Sequence, residues 1–480
     1  MTRVQTRMET DSLGTLEVPA GAYWGIHTLR AQENFPIRVR QVGDYPDLVI
    51  ALAQVKQAAS RANVELGTLD PEIGNAVDKA CTEIMNGKWH DEFVVGVLQG
   101  GAGTSTNMNA NEVIANRALE IMGKTRGDYA VISPIDHVNR SQSTNDAYPT
   151  AVKLSMIHAL RRMLDEQQLL GAAFKAKSTE FALVIKVGRT QLQDAVPMTL
   201  GQEFGGFSTT LGEDRERLKE TIPWLCEVNL GATAIGTGIT TDPRYAEAVR
   251  RELAEITGLP VVTAPDLIEA TSDTGIFMTL SGLLKRSALK LSKICNDLRL
   301  LSSGPQAGLG ELNLPPRQAG SSIMPGKVNP VIPEFFNQIA FAVMGADTTV
   351  AMAAEAGQLQ LNAFEPVIVH SILQSLDWMT CGMRTLRVNC IEGITANEAW
   401  LSDTVRANVG VVTALSPYIG YAAAASLAHS ALVTGKSIRE LVVASALMTA
   451  EEAAEALSPE RLSGLHEGGP PLTCAPTAIC

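Results

Sequence analysis

The sequence lacks the cysteine and histidine patterns of metal and disulfide proteins. It has no C-x-x-C pair, its seven cysteines are an odd number, and none of its seven histidines forms an i, i+4 pair. We therefore expect reduced thiols and no metal site, and at 480 residues the chain can bury a large core without disulfides. Aromatic residues make up only 5% of the chain, which favours a helical fold over a sheet sandwich.

Long apolar runs and an excess of basic charge are also missing. A secretory signal requires an apolar segment after its basic residues, and we find none after the basic residues near the N-terminus. The most apolar stretches of the chain are too short to span a membrane. Lysine and arginine number 39 against 51 acidic residues, for a net charge of −12. This balance argues against a broad surface for nucleic acid or anionic lipid. We therefore expect a cytoplasmic protein with neither nucleic acid nor membrane as a partner.

Long amphipathic segments dominate what is present. Within 274–301, seven apolar residues recur at an average spacing of 3.5 residues, the repeat of helices packed side by side in a bundle. Further long helices are expected to start near Pro149, Pro197 and Pro330, since proline suits a first helical turn. Three short β-prone runs are interpreted as connectors: 131–138, 181–188 and 259–265.

These segments predict a mainly α fold of three helical domains. The predicted divisions are an N-terminal helical domain at 1–143, a central long-helix bundle at 144–396 and a C-terminal helical domain at 397–480. The last of these ends in a glycine- and proline-bearing tail, 468–480, which we expect to be frayed.

Four clusters of hydroxyl and amide side chains each precede a predicted helix. At such a position, free backbone N–H groups and the positive end of the helix dipole favour an anion. Helix capping needs one such side chain, whereas each cluster offers three to five, which favours a ligand. The clusters lie at 100–109, 141–146, 188–194 and 320–329.

The glycine-rich segments do not fit nucleotide-binding motifs. Five residues, not four, separate Gly320 from Gly326, and Val328 stands where a Walker A motif has a hydroxyl. The segment 231–238 lacks the spacing and the preceding strand of a dinucleotide site. Several neutral donors with one lysine suit a small carboxylate substrate, and the same donors can stabilise charge that develops on it. This chemistry fits an elimination next to a carboxylate.

The segment 320–330, GSSIMPGKVNP, resembles the signature of the aspartase/fumarase superfamily, and the similarity extends over nearly the whole chain. Gln191 is a departure, because many relatives carry histidine there; glutamine cannot transfer a proton but can orient an amino group. Within the superfamily, three stretches are most similar to the aspartate ammonia-lyases: 142–150, 295–304 and 352–362.

The resemblance implies a reversible anti elimination of ammonia from L-aspartate to give fumarate. The alternative is the class II fumarase reaction, which dehydrates L-malate to fumarate. By motif position, Ser321 is the base that removes the Cβ proton, on a mobile loop whose N–H groups or Lys327 must stabilise its alkoxide. The implied substrate contacts are Thr104, Ser143, Thr144 and Ser322 for the β-carboxylate, Lys327, Asn329 and Thr190 for the α-carboxylate, and Asn145 and Gln191 for the amino group.

The resemblance also implies a homotetramer whose sites are shared between subunits, with no required cofactor; activation by a divalent metal is left open. A helix of about 30 residues is about 45 Å long, so the loops before Pro149 and Pro197 would lie at opposite ends of a bundle. They would then meet only from different subunits. The superfamily also includes non-catalytic lens crystallins and lyases for argininosuccinate or adenylosuccinate. The intact set of Ser321, Lys327 and Asn329 argues against a non-catalytic protein, and a lyase for these larger substrates would need contacts for a large substituent that the sequence does not show.

Overall fold

The computed structural model describes residues 5–320 and 323–464, so the tail 468–480 lies outside the described residues. Most described residues are helical, which confirms the mainly α prediction. The α-helices are α1 (Ile26–Asn34), α2 (Pro46–Glu65), α3 (Pro71–Met85), α4 (Thr104–Ile121), α5 (Thr144–Glu180), α6 (Leu200–Lys219), α7 (Ile222–Leu225), α8 (Tyr245–Thr257), α9 (Leu267–Ser272), α10 (Gly275–Leu301), α11 (Val331–Glu355), α12 (Glu365–Asn389), α13 (Glu398–Ala407), α14 (Ser416–Ile419), α15 (Tyr421–Thr434), α16 (Ile438–Ala444), α17 (Ala450–Ala456) and α18 (Pro459–Leu462).

The strands are short and pair two by two. They form an antiparallel β1–β2 hairpin, an antiparallel β3–β4 hairpin, a parallel β5–β6 pair and an antiparallel β7–β8 pair. The strands are β1 (Thr6–Asp11), β2 (Gly14–Pro19), β3 (Ile185–Thr190), β4 (Gln193–Thr199), β5 (Glu227–Val228), β6 (Val262–Thr263), β7 (Leu312–Asn313) and β8 (Thr395–Ala396).

The interpretation of three β-prone runs as connectors is wrong for two of them. The run 181–188 supplies most of β3, and 259–265 supplies β6, because each finds a partner segment to complete its backbone hydrogen bonds. The third run holds a π-helix at Pro134–Val138. The β1–β2 hairpin was not predicted, although Gly14 at φ 121° marks its turn.

Helix α10 follows the predicted repeat. All seven apolar residues of the 274–301 pattern are at most 1% exposed, so the 3.5-residue spacing does mark a buried face. Contacts between α10 and α11 run antiparallel. Ser281 Oγ donates to Asp347 Oδ1 at 2.9 Å, and Asn337 Nδ2 donates to Ser292 Oγ at 2.8 Å.

Two of the three predicted helix starts are displaced. Helix α5 begins at Thr144 and contains Pro149, whose missing N–H would leave the carbonyl of Asn145 without its helical donor. Asn229 Nδ2 supplies that bond instead, 3.0 Å from the Asn145 oxygen. Pro197 lies in β4, a strand of a two-stranded sheet where a missing N–H is tolerated. Helix α11 begins at Val331, as the third proline predicts.

The chain forms two compact units, each built from three segments. Unit 1 comprises Met1–Asp165, Asp214–Ala288 and Ile339–Thr380, and in it α2 packs against α3 and α8. Unit 2 comprises Glu166–Glu213, Leu289–Gln338 and Cys381–Cys480. The hydrophobic core of unit 2 includes β3 and the helices after α12. The domain divisions at 143 and 396 stay a prediction.

Two further properties bear on the chemical setting of the protein. Over residues 5–320 and 323–464, no helix is both long and apolar enough to cross a membrane. Among the cysteines, the described ones are free thiols: Cys81, Cys226, Cys295, Cys381 and Cys390.

Candidate active site

The N-termini of α4 and α5 lie side by side in unit 1. Gly103 has a φ of 87°, and a Cβ there would collide with the ring of Tyr148 on α5, so only glycine permits this approach. Asn107 Nδ2 on α4 also donates to Thr144 Oγ1 on α5 at 3.0 Å. Thr104, the first residue of α4, is therefore held next to the first turn of α5.

Two hydroxyls at this junction have their protons available to an anion. Thr144 Oγ1 accepts the hydrogen bond from α4, and Ser143 Oγ accepts one from the backbone N–H of Asn145 at 3.2 Å. A hydroxyl that accepts in this way can direct its own O–H outward. Thr104 differs, because its hydroxyl donates to the carbonyl of Gly101 at 2.7 Å and must turn before it can bind substrate.

Asn145 presents an acceptor beside these donors. Its Nδ2 donates to the carbonyl of Ala234 at 2.7 Å, which leaves Oδ1 as the free end of the amide. An amide oxygen accepts a hydrogen bond from an ammonium group. The amino-group contact of Asn145 stays a prediction, for which this oxygen is the available acceptor.

Asp146 anchors the turn from below and was not predicted as a functional residue. Its buried carboxylate accepts from the backbone N–H groups of Ser143 at 2.9 Å, Thr233 at 2.8 Å and Gly231 at 3.1 Å. Burial raises the pKa of the Asp146 carboxyl to about 7, against the lowering effect of these backbone bonds. The fully buried carboxylate thus fixes the backbone of Ser143.

Lys56 on α2 is a second residue that sequence reasoning missed. Its side chain is fully buried, and Nζ donates to Asn139 Oδ1 at 3.0 Å and Gln142 Oε1 at 2.9 Å. Burial lowers the pKa of the Lys56 ammonium to about 7, while the Asp146 carboxylate acts in the opposite direction. A signal was present, since Lys56 is the one charged residue among the buried residues of α2, which are otherwise apolar or uncharged polar.

The cluster 188–194 does not precede a helix, contrary to the prediction. It forms the tip of the β3–β4 hairpin, where Thr190 pairs with Gln193 and α6 begins only at Leu200. Gln191 and Leu192 both have positive φ, 53° and 63°, as the two central residues of a type I′ hairpin turn require. The two predicted substrate contacts in this cluster, Thr190 and Gln191, are exposed at this tip.

Ion pairs inside unit 2 hold the base of this hairpin. Lys186 Nζ lies 2.7 Å from Glu203 Oε2 and 2.8 Å from Glu311 Oε2, and Arg189 pairs with the same Glu311. Lys186 and Glu311 are both nearly fully buried, so each charge depends on its partner. Glu311 lies between Gly310 and Leu312, which line the cavity described next. These ion pairs therefore connect the hairpin to the wall of that cavity.

A cavity of about 510 Å³ in unit 2 contains Lys327 and Asn329. A Cβ on Gly320 would collide with the carbonyl oxygen of Lys327, so glycine lets the two arms of this loop meet. Within the described part of the chain, the Lys327 ammonium makes no hydrogen bond or ion pair, which leaves its charge for a ligand. Ser321 and Ser322 lie outside the described residues, and their roles stay predictions.

The predicted contacts therefore form three groups. Unit 1 brings together Thr104, Ser143, Thr144 and Asn145, whereas unit 2 holds Thr190 and Gln191 on a hairpin and Lys327 and Asn329 in a cavity. In the described ranges, no group of three or more His, Cys, Asp or Glu residues is placed to hold a metal ion.

Comparison with known proteins identifies the relatives of this chain. A family model described as Lyase matches residues 14–345, and one described as Fumarase C C-terminus matches 411–464. An aspartate ammonia-lyase from Pseudomonas aeruginosa is 56% identical over 95% of this chain and 97% of its own length. The aspartate ammonia-lyase of Escherichia coli is 52% identical over 95% of this chain and 96% of its own length.

Solved structures agree with these sequence matches. A fumarate lyase:delta crystallin from Brucella melitensis, bound to cobalt, has a TM-score of 0.93 at 52% identity and covers 96% of this chain and 100% of its own. A class II fumarase from Schistosoma mansoni has a TM-score of 0.90 at 34% identity, with the same coverage. Because the Lyase model matches most of the chain and these relatives align along nearly all of it, the chain belongs to the aspartase/fumarase superfamily.

Proposed function

We propose that this chain is an aspartate ammonia-lyase, which converts L-aspartate to fumarate and ammonia reversibly. The observation that carries the proposal is the 56% identity to an aspartate ammonia-lyase over 95% of the chain. The class II fumarase is 34% identical, which makes L-malate the weaker candidate substrate. At the α4–α5 junction, outward hydroxyls next to the Asn145 acceptor suit a substrate with a carboxylate and an amino group.

The chemistry follows from the predicted roles. Ser321, as alkoxide, takes the Cβ proton, and the electrons of that C–H bond move onto the β-carboxylate as an aci-carboxylate dianion. Ser143 and Thr144, with Thr104 and Ser322, donate to this dianion, and their hydrogen bonds strengthen as its charge grows. The dianion then collapses, the C–N bond breaks, and ammonia leaves with the C–N electron pair.

The remaining predicted contacts orient the substrate. Lys327 provides the cationic contact to the α-carboxylate, with Asn329 beside it in the cavity and Thr190 as a further donor. Asn145 and Gln191 hold the amino group, so that the bond to be broken is opposite the proton to be removed. These residues require no cofactor for the elimination, and we place the reaction in the cytoplasm.

We further propose a homotetramer with active sites shared between subunits. Helix α11 supports this, because it leaves large apolar side chains in solvent: Phe341 is 62% exposed and Met352 is 68% exposed. Apolar residues repeated along one helix are typical of a subunit interface in a helix bundle.

Purified protein incubated separately with L-aspartate and with L-malate tests the activity. We expect fumarate, followed by its ultraviolet absorbance, to form from L-aspartate with release of one ammonia per fumarate. Turnover of L-malate alone would assign the chain to the fumarases. Turnover of neither substrate would favour a non-catalytic member of the superfamily.

Mixed oligomers test the shared site. A chain with Ser321→Ala and a chain with Thr190→Ala are co-expressed with different tags, and oligomers carrying both tags are purified. If different subunits supply the two residues, about a quarter of the sites in a random equimolar mixture are intact. We expect activity well above that of either variant alone. Activity equal to the mean of the two separate variants would exclude the shared site.

A further inference from the structure

A lysine with no charged group in hydrogen-bond contact lies beneath the α4–α5 junction. The side chain of Lys56 is fully buried, and the two hydrogen bonds from its Nζ go to neutral amide oxygens, Asn139 Oδ1 and Gln142 Oε1. In its ammonium form, which the nearby Asp146 carboxylate favours, Lys56 can only donate hydrogen bonds. Each of these two amides must therefore present its oxygen, and not its nitrogen, to Lys56.

This constraint fixes the orientation of Asn139. Its oxygen accepts from Lys56 and also from Asn107 Nδ2 at 3.1 Å and Asn111 Nδ2 at 3.2 Å. Its nitrogen donates away from them, to the carbonyl of Gln142 at 3.2 Å. A reversed Asn139 would place an N–H donor against the ammonium and against two further donors, so the lysine excludes that arrangement.

The orientation passes from Asn139 to Asn107 and then to Thr144. Since Asn139 presents an oxygen, Asn107 must face it with Nδ2, and the same nitrogen donates to Thr144 Oγ1 at 3.0 Å. Asn107 Oδ1 is buried and has no hydrogen-bond partner among the described residues. The orientation of the Asn107 amide is therefore set by the two hydrogen bonds that its Nδ2 donates. Thr144 thus receives a hydrogen bond and keeps its own proton for the substrate.

We propose that Lys56, as an ammonium, is a positioning residue that sets the direction of a hydrogen-bond chain, through Asn139 and Asn107, so that Thr144 donates to the substrate carboxylate. The inference rests on the proposed function, in which that carboxylate gains negative charge. A hydroxyl that is already oriented stabilises this charge without first having to reorient.

A double-mutant cycle tests whether Lys56 and Thr144 are coupled through this hydrogen-bond chain. Lys56→Met keeps the length of the side chain and removes the donor, and Thr144→Val removes the end of the chain. We expect each variant to lower kcat/KM for L-aspartate about 10- to 100-fold, and the double variant to be no worse than Thr144→Val alone. The same cycle is measured on the Kd of fumarate by calorimetry, so it does not depend on turnover.

Lys153→Met is the matched control. Lys153 is also a largely buried lysine, but its Nζ donates to the carbonyl of Glu227 at 2.7 Å, outside the chain from Lys56 to Thr144. Its effect is expected to add fully to that of Thr144→Val. Additive effects of Lys56→Met and Thr144→Val, in kcat/KM and in Kd, would overturn the inference and leave the proposed function in place.

A further variant tests the direction of the hydrogen bond between Asn107 and Thr144 without changing Lys56. Asn107→Asp is isosteric but places a carboxylate oxygen against Thr144, which then donates its proton to that oxygen and not to the substrate. We expect a 10- to 100-fold weaker Kd for fumarate. Unchanged binding by a folded Asn107→Asp variant would overturn the inference, even if Lys56→Met failed to fold.

Discussion

Replacing Ser321 with alanine is expected to lower kcat for L-aspartate by about 10³-fold or more. The proposed mechanism has one base, and alanine cannot take the Cβ proton. Because the role predicted for Ser321 is only to take that proton, the Kd of fumarate is expected to change little. Single-turnover formation of fumarate and calorimetric binding of fumarate separate the two effects.

Two further serines serve as controls for Ser321→Ala. Ser322→Ala removes a predicted carboxylate donor and is expected to weaken fumarate binding about tenfold while keeping a measurable kcat. Ser430→Ala removes an exposed hydroxyl of α15, which donates to the carbonyl of Ser426 at 2.9 Å, and is expected to leave both quantities unchanged. If Ser321→Ala retains the kcat of the parent protein, the base must be another residue.

Replacing Lys327 with methionine is expected to lower kcat/KM for L-aspartate by about 10²- to 10³-fold, mainly through KM. Lys327 lies in the unit 2 cavity and has no ion-pair partner among the residues described. The protein carries a net charge of −12, so attraction of a dicarboxylate depends on such a local cation. Steady-state kinetics measure the loss of kcat/KM, and repeating them at several salt concentrations shows how much of that loss is electrostatic.

The matched control is Lys436→Met, at an exposed lysine between α15 and α16. It removes the same charge from the total and is expected to leave kcat/KM within about twofold, because surface charges are screened. Equal losses in the two variants would show that net charge, and not the α-carboxylate contact, causes the effect. An unchanged kcat/KM in Lys327→Met would remove this residue from the predicted site.

Local sequence patterns predicted the long helices well. The repeat in α10 needs no knowledge of the partner helix, since burial of one face follows from the spacing alone. The start of α5 was displaced because Pro149 is tolerated inside a helix only when another group bonds the freed carbonyl. That group is Asn229, 84 residues from the Asn145 carbonyl in sequence, and no local pattern reveals it.

In the candidate site, too, local motifs were predictable from the sequence and distant partners were not. The hydroxyl and amide clusters were visible as motifs, and the structure brings four of the predicted contacts together at the α4–α5 junction. Their supporting residues were not identified, because Lys56 and Asp146 also act through partners 83 to 87 positions distant in sequence. The charge of Lys56 among the buried residues of α2 marks that residue, but it does not reveal its partners. The 188–194 cluster was predicted to precede a helix directly, because its composition suits a helix cap as well as a hairpin turn.

In the proposed site, where Asn145 binds the amino group of the substrate, the hydrogen bond from Asn229 Nδ2 to the Asn145 carbonyl bears on substrate choice. Because Pro149 has no N–H, the first turn of α5 lacks the helical hydrogen bond to the Asn145 carbonyl. Two hydrogen bonds with the 229–234 segment hold Asn145 instead, one from Asn229 to its carbonyl and one from its Nδ2 to Ala234. Substitutions in that segment can shift the Asn145 oxygen by small amounts while α5 stays folded. Evolution, or an engineer seeking an enzyme for N-substituted aspartates, could thus adjust amine recognition from 229–234 and leave every substrate-contacting side chain unchanged.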